Sequence, residues 1–260
     1  MQELQNLDAM PTNLALAKAE VDCMISTAHA YPRNTDKAYK EALAMATCDD
    51  ETAQSCIYSV PRAGKTIVGP SIRLAEMIAY AWGNLHLGVR VVDTSATYVT
   101  VEAVAWDLEK GNRYTSQEQR KITNKDNRRF SEDMVSVTAK AASAIALRNV
   151  IFKAIPKFYV DKIYKAAVNF SLGDLQSNKA RKEKAIAYFQ KSGILPERIY
   201  GYFGIANIDE LRPEHMEYMI GISTAIKNGM AIEDAFNSDI QMDSGREINK
   251  ADKLNEELMG

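Results

Sequence analysis

Cysteine, histidine and long apolar runs are all scarce in this 260-residue chain, and each shortage excludes a class of protein. The three cysteines, Cys23, Cys48 and Cys56, are odd in number and lack CxxC spacing, so neither a disulfide framework nor a zinc site is expected. No apolar run approaches the roughly 18 residues that a membrane helix needs, and the N-terminus lacks the basic segment of a signal peptide. We therefore expect a cytoplasmic protein without a bound metal.

The chain also lacks the patterns of nucleotide hydrolysis and of common catalytic sites. The segment "AGKT" is similar to the end of a phosphate-binding loop, but the glycine required five residues before Gly64 is replaced by Ser59. The three histidines have no partner at the spacing of a metal site or a catalytic triad. Asp93 and Glu102 are not followed by the Glu-x-Lys arrangement of a metal nuclease. We expect no enzymatic activity and no cofactor.

Charge is present in balanced amounts but is unevenly distributed. The net charge is −2, yet the segment from Arg113 to Lys165 holds twelve Lys or Arg against five Asp or Glu. The segment from Met230 to Gly260 holds three basic residues against eight acidic ones. The chain therefore has a cationic middle and an anionic tail, which favours a polyanionic partner for the middle segment.

Hydrophobic periodicity predicts an α+β fold. A short hairpin turns at Ala63-Gly64, a three-stranded antiparallel meander begins near Leu85, and a long, nearly all-apolar helix runs from a Ser131 cap to Pro156. Three short helices follow a polar linker. We expect a small antiparallel sheet, made of the hairpin plus the meander, packed on the long central helix, with a C-terminal three-helix bundle.

Three segments are expected from this organisation. Residues 1–172 are predicted to form a core that contains the sheet, the basic residues and the long helix. Residues 178–237 are predicted to form a separate helical bundle. Residues 238–260 are acidic and are predicted to be a mobile tail.

The third strand of the meander and the loop after it are unusual. The strand "RYTSQEQRKIT" is polar on nearly every residue of both faces, which a core strand does not tolerate. The stretch "QRKITNKDNRRF" at its end places five cations together, opposed only by Asp126. Such a cluster is either a solvated loop or a binding site for a polyanion. The cations are Arg120, Lys121, Lys125, Arg128 and Arg129.

The order of elements resembles the phage single-strand annealing recombinases of the RecT, Red beta and Erf type. These proteins share a helical preamble, a hairpin, three antiparallel strands, a basic loop and one long Ala-rich helix. The local resemblance is in "GPSIRLAEMIAYAWGN", "VEAVAWDLEKGNRY" and "VTAKAASAIALRNVIFKAIP". The C-terminal helical segment is similar to the small modules that some of these proteins carry.

The resemblance implies that the core, residues 1–172, binds single-stranded DNA (ssDNA) and anneals complementary strands without ATP in phage-type homologous recombination. It implies assembly into rings or helical filaments, and contact of the bundle with a host single-strand binding protein or a companion exonuclease. Basic side chains would track the phosphates and aromatic rings would stack on bases. The candidate DNA-binding residues are Arg62, Lys65, Arg120, Lys121, Lys125, Arg128, Arg129, Lys140, Arg148 and Tyr114.

Two other functions fit the same residues. A single-strand binding protein that does not anneal would share the cationic groove but would block the base edges. An adaptor protein would bind a partner through its helical bundle and an acidic protein surface through its basic patch. Tyr58, Tyr98 and Trp106 lie on or beside the predicted strands, where they serve either as core residues or as platforms for bases.

Overall fold

The computed structural model describes residues 12–62, 65–124, 126–173, 179–227, 230, 232, 235 and 236. Within these residues the chain is α+β, as predicted from the sequence. The helices are α1 (Thr12–Ala30), α2 (Thr35–Ala46), α3 (Asp50–Ser55), α4 (Ile72–Trp82), α5 (Glu132–Ala154), α6 (Lys157–Leu172), α7 (Lys179–Lys191), α8 (Pro196–Phe203) and α9 (Pro213–Lys227). The strands are β1 (Ile57–Arg62), β2 (Lys65–Pro70), β3 (Leu85–Thr94), β4 (Tyr98–Asp107) and β5 (Arg113–Lys121).

The described residues form two compact units. The first contains the residues up to Thr52 together with those of Ser71–Ala167, and the second contains Ala53–Pro70 together with the residues from Val168 onward. These are units of packing, and their boundaries differ from the three segments expected from the sequence. The functional division into 1–172, 178–237 and 238–260 stays a prediction, and the tail segment lies outside the described residues.

The first unit is built on a three-stranded antiparallel sheet with β4 at its centre, in the order β3-β4-β5. Residues of β4 alternate between the two faces because successive side chains of a strand point in opposite directions. Val101 lies opposite Val91 of β3 and Glu118 of β5, and a bulge between Val91 and Asp93 shifts the register near the end of β3. The buried side chains of β4 are Val99, Val101, Ala103 and Ala105.

Helix α5 covers the face of the sheet that carries these buried residues. Ser131 caps the helix by accepting a hydrogen bond from the backbone N–H of Met134 at 3.4 Å, as the sequence predicts. Ala142 and Ala146 are completely buried against the strands, flanked by Val135 and Val150. Small side chains in the middle of the helix allow its backbone to approach the sheet closely. This packing forms the hydrophobic core of the unit.

By length and composition α5 is also the one helix among the described residues that would pass for a membrane span. The expectation that no apolar run approaches that length is therefore wrong for this segment. Packing of one side on the sheet and of another on α4 accounts for part of this apolar character. Met134 and Val137 near the start of the helix are exposed, and 28% of its apolar window is buried.

The second unit places the β1–β2 hairpin on α9. The contact is close at Gly221 of α9, where an added Cβ would lie 2.4 Å from Cβ of Ser59. The rest of the unit is held by aromatic rings, with Tyr202 and Tyr218 stacked and their hydroxyls hydrogen-bonded at 2.8 Å. Phe189 and Phe236 pack edge-on into the same cluster. The hairpin is thus a partner of the C-terminal helices, which the sequence did not predict.

Candidate nucleic-acid interface

The polar strand β5 is an edge strand, and this position explains its composition. Ser116 and the half-buried Tyr114 face α5, whereas Thr115, Gln117 and Gln119 are exposed on the other face. An edge strand has water on one side and needs apolar residues only where the helix covers it. The tyrosine therefore packs against the core cluster beneath α5, and it does not lie on the exposed face.

The loop between β5 and α5 is closed by its own hydrogen bonds. Oδ1 of Asn124 accepts from the backbone N–H groups of Asp126 at 3.0 Å and Arg128 at 2.9 Å. Asn127 adopts a left-handed conformation with φ of 58°, which asparagine tolerates better than most residues. The backbone N–H of Phe130 then donates to the carbonyl of Ile122 at 2.9 Å. The loop is thus a defined turn that returns the chain to the sheet.

This turn gathers four of the predicted cations at one end of the sheet, which we call the cationic end: Arg120, Lys121, Arg128 and Arg129. Arg129 donates to the carbonyl of Ser95 in the β3–β4 turn at 2.8 Å, and Lys121 donates to Oδ1 of Asn127 at 3.1 Å. All four side chains belong to exposed residues. The fifth cation of the cluster, Lys125, lies outside the described residues.

Among the described residues, the ion pairs that offset the charge of the cationic end are weak. Arg120 lies 3.6 Å from Glu118, and Arg129 lies 3.5 Å from Glu132. Both pairs are partly exposed, and exposed pairs contribute only about 0 to 1 kcal/mol. A phosphate group can therefore compete for these arginines at little cost.

The remaining predicted site residues lie elsewhere. Lys140 is exposed on α5, and the half-buried guanidinium of Arg148 donates to the neighbouring Asn149 at 3.2 Å. Arg62 and Lys65 pair across the β1–β2 hairpin in the second unit, and their side chains are outside the described part of the structure. The structure therefore brings together the residues of the β5–α5 loop, and it does not bring Arg148 or Tyr114 to the same exposed surface.

The face of the sheet away from α5 carries a second group of residues, which the sequence analysis only partly anticipated. We call it the open face, because among the described residues α5 is the element that packs extensively on this sheet, and it covers the opposite side. The cross-strand rows of the open face follow from the strand register. They are His86–Trp106–Arg113, Gly88–Val104–Thr115, Arg90–Glu102–Gln117, Asp93–Thr100–Gln119 and the pair Tyr98–Lys121.

The negative charge of Glu102, at the centre of the open face, is balanced by an ion pair with Arg90. Glu102 accepts a hydrogen bond from Gln117 at 3.3 Å and from Arg90 at 2.9 Å. The Gln117 amide and then the Arg90 guanidinium lower the pKa of Glu102 below its usual value. The carboxylate therefore stays ionised and engaged with these two neighbours. Alternation in "YVTVEAVAWD", read together with the register of β5, is the sequence signal that could have located this face.

The end of the sheet that carries Trp106 is fixed by a buried ion pair. Arg33, just after α1, binds Asp107 with contacts of 2.8 Å and 3.3 Å and donates to the carbonyls of Trp82 and Gly83. Its guanidinium also lies 4.8 Å from the ring centre of Trp82. Burial alone raises the pKa of Asp107, but hydrogen bonds from Arg33 and from the Lys110 backbone outweigh it, so the pKa is lowered overall.

No protein-family model, no curated protein and no solved structure matches this chain. Within the described ranges, no three His, Cys, Asp or Glu side chains converge as ligands for a metal ion. The resemblance to annealing recombinases therefore stays a prediction. The features that bear on function are the cationic end and the aromatic residues of the open face.

Proposed function

We propose that the protein binds single-stranded DNA. The observation that carries this proposal is the cationic end, where the β5–α5 loop folds Arg128 and Arg129 back to the end of β5. Arg120 lies there on the α5 side of the strand and Lys121 on the open face, and Arg129 reaches the β3–β4 turn. The described part of this site is a strand end and a turn, so phosphate contacts would dominate and sequence preference would be weak. Weak preference suits a protein that must act on strands of any sequence.

We also propose that the bound strand is annealed to its complement without nucleotide hydrolysis. The failed phosphate-loop pattern at Ser59 and the resemblance to phage annealing recombinases support this part. Annealing requires that the base edges remain free while the phosphates are held. A cationic end beside an open sheet face meets this requirement better than a closed channel would.

Assembly of several copies and contact with a partner protein belong to the same proposal. Strand β3 is a sheet edge, and its Val89, Val91 and Val92 are exposed, as in strands that pair with another chain. We propose that copies assemble into rings or filaments in the cytoplasm. We propose further that the C-terminal bundle contacts a single-strand binding protein or an exonuclease. Electron microscopy of the protein, with the two complementary strands added one after the other, tests this assembly. Images that contain only single copies of the protein would contradict it.

Salt dependence provides the direct test of DNA binding. Binding of an oligothymidine should weaken steeply with salt, since each phosphate contact on a single strand contributes a slope of about 0.7 in log affinity against log salt. The double variant R128A/R129A should weaken binding to all sequences alike and flatten this slope by roughly one to two units. The matched control K37A/K40A removes the same charge from exposed positions of α2 and should leave the slope unchanged.

If the R128A/R129A protein is folded and its salt slope is unaltered, the cationic end is a solvated loop that does not contact DNA. Annealing is then measured with two complementary labelled oligonucleotides, with and without ATP. We expect equal rates in both conditions. Binding without annealing would favour the single-strand binding alternative, and ATP-stimulated annealing would contradict the proposed mechanism. If the protein causes no mobility shift of DNA, the alternative function as an adaptor protein is favoured.

A further inference from the structure

The open face repeats one arrangement at its two ends. Tyr98 and Trp106 lie on the same face of β4, eight residues apart, which separates them by about 27 Å. Each has a cation directly across the strand pair, Lys121 opposite Tyr98 and Arg113 opposite Trp106. An aromatic ring beside a cation is the combination that binds a base and its phosphate in proteins that hold single strands.

A depression lies next to Trp106 and has the dimensions of a small-molecule site. Its volume is about 380 Å³, and it is lined by His86, Gly88, Arg90, Val104, Trp106 and Arg113, with Val89 and Glu102 completing the wall. Pockets that hold small ligands begin near 300 Å³. The lining combines a flat ring, an apolar valine and two arginines, which suits a base attached to a phosphate.

Gly88 has no packing reason to be glycine. A Cβ added at this position would meet no atom within 4 Å, and the residue lies within a strand, where glycine is unfavourable. Glycine inside a strand often marks a place where a ligand approaches closely. The missing side chain leaves the floor of the depression open opposite Val104.

The charges of this face favour a strand of nucleotides as its occupant. Three cations, Arg90, Arg113 and Lys121, face two acids, Asp93 and Glu102, and Glu102 is already engaged by Arg90 and Gln117. Arg113 also attracts Glu102 electrostatically, and it lies directly opposite Trp106 as a cation next to a ring. Lys121 belongs both to the open face and to the cationic end, so the two surfaces are continuous.

We propose that the open face is the platform for the bases of the bound single strand. One base stacks on Trp106 above Gly88 with its phosphate at Arg113, and the strand runs along β4 past Tyr98 to the cationic end. This inference rests on the proposed ssDNA binding and assigns its base-contacting surface. Stacking engages the flat side of a base and leaves its hydrogen-bonding edge free, which is what pairing with a complement requires.

Two substitutions test the platform separately. W106A removes the ring and should weaken binding of oligothymidine by roughly 5- to 150-fold, the range for loss of one stacked base. Y80A removes a tyrosine of α4 that is more exposed than Trp106 and lies outside the open face, and it should leave the affinity unchanged. G88V fills the depression with a β-branched residue that suits a strand, so it should keep or raise the melting temperature while it weakens binding.

An abasic oligonucleotide distinguishes base contacts from phosphate contacts. On this ligand W106A and G88V should bind as wild type does, because only the sugar–phosphate chain remains. On oligothymidine both variants should keep the wild-type salt slope, whereas R128A/R129A flattens it. If W106A does not fold, the result for G88V alone decides whether the open face contacts the bases.

The results that overturn the platform differ from those that overturn DNA binding. If R128A/R129A weakens binding but folded G88V and W106A bind oligothymidine as wild type does, the cationic end holds DNA and the open face does not contact the bases. If G88V changes the oligomeric state and leaves DNA affinity unaltered, the open face is occupied by a second copy, and the platform is wrong. If the wild-type protein binds no oligonucleotide, the proposed function fails and the platform fails with it.

Discussion

The two faces of strand β4 share one backbone and have opposite characters. The covered face presents Val99, Val101, Ala103 and Ala105, all buried under α5. The open face presents Tyr98, Thr100, Glu102, Val104 and Trp106, none of which is fully buried. Alternation thus allows a single strand to form the hydrophobic core and to carry the candidate DNA surface at once. Changes to adjacent residues should therefore separate stability from binding.

The largest effect is expected from a charge placed on the covered face. V101D buries a carboxylate among apolar side chains and should lower the free energy of unfolding by more than about 4 kcal/mol. The adjacent T100D adds the same charge to the open face and should change the free energy of unfolding by less than about 1 kcal/mol. Urea denaturation measures both variants.

T100D should also weaken ssDNA binding, because it adds a second negative charge next to Asp93 and near Lys121. The like charges of the new carboxylate and Asp93 account for a small loss of stability within the stated limit. Equal destabilisation by V101D and T100D would show that the open face is covered in solution. If T100D binds DNA with unchanged affinity, the open face is not part of the DNA-binding site.

The next largest effect is expected from the buried ion pair between Arg33 and Asp107, the residue that follows Trp106 on β4. R33M leaves Asp107 as an uncompensated buried charge and should lower the free energy of unfolding by about 3 to 5 kcal/mol at neutral pH. The pKa of Asp107 is lower in the folded chain than its ordinary value of 3.8, so this carboxylate adds stability above that pH. Its contribution is lost as the pH falls through and below 3.8.

Wild-type protein should therefore lose stability between about pH 5 and pH 2, and R33M should lose less over the same range. Denaturant midpoints measured at several pH values give both slopes. R73M removes an arginine from an exposed pair on α4 and is the control for charge alone. Parallel acid curves for R33M and the wild type would argue against Asp107 as the group responsible.

A smaller effect is expected in the second unit, where α9 covers the β1–β2 hairpin as α5 covers the sheet. G221A adds a methyl group 2.4 Å from Cβ of Ser59 and 2.9 Å from its backbone nitrogen, which should cost about 1 to 3 kcal/mol. G201A, on α8, meets nothing within 4 Å and should be neutral or slightly stabilising. Thermal unfolding of both variants checks the contact. A fully stable G221A protein would show that the hairpin does not pack closely on α9.

The same contact affects how the C-terminal bundle can be studied. A chain shortened near Leu172 would lose α9 and uncover the hairpin, including the completely buried Ile57. Loss of DNA binding in such a chain would therefore not assign the DNA site to the bundle. Point substitutions on exposed residues of the bundle keep the hairpin covered and are the sounder test of partner binding.

Much of the fold followed from local patterns. The Ser131 cap, the apolar length of α5 and the alternation in β4 are periodic signals that act over a few residues, and the structure confirms the elements they predicted. The cluster of cations in the β5–α5 loop could also be identified from the sequence. Its DNA-binding role stays a prediction, since charge alone does not name a ligand.

What the sequence by itself determined was the set of elements and the faces they present, because helix and strand periods are set by neighbouring residues. Only the tertiary structure decided which distant residues meet. Arg33 binds Asp107 across 74 positions, Gly221 packs against the hairpin at Ser59, and Gly88 lies opposite Val104 on the open face of the sheet. Such contacts depend on how whole elements pack, and no local pattern of charge or hydrophobicity encodes them.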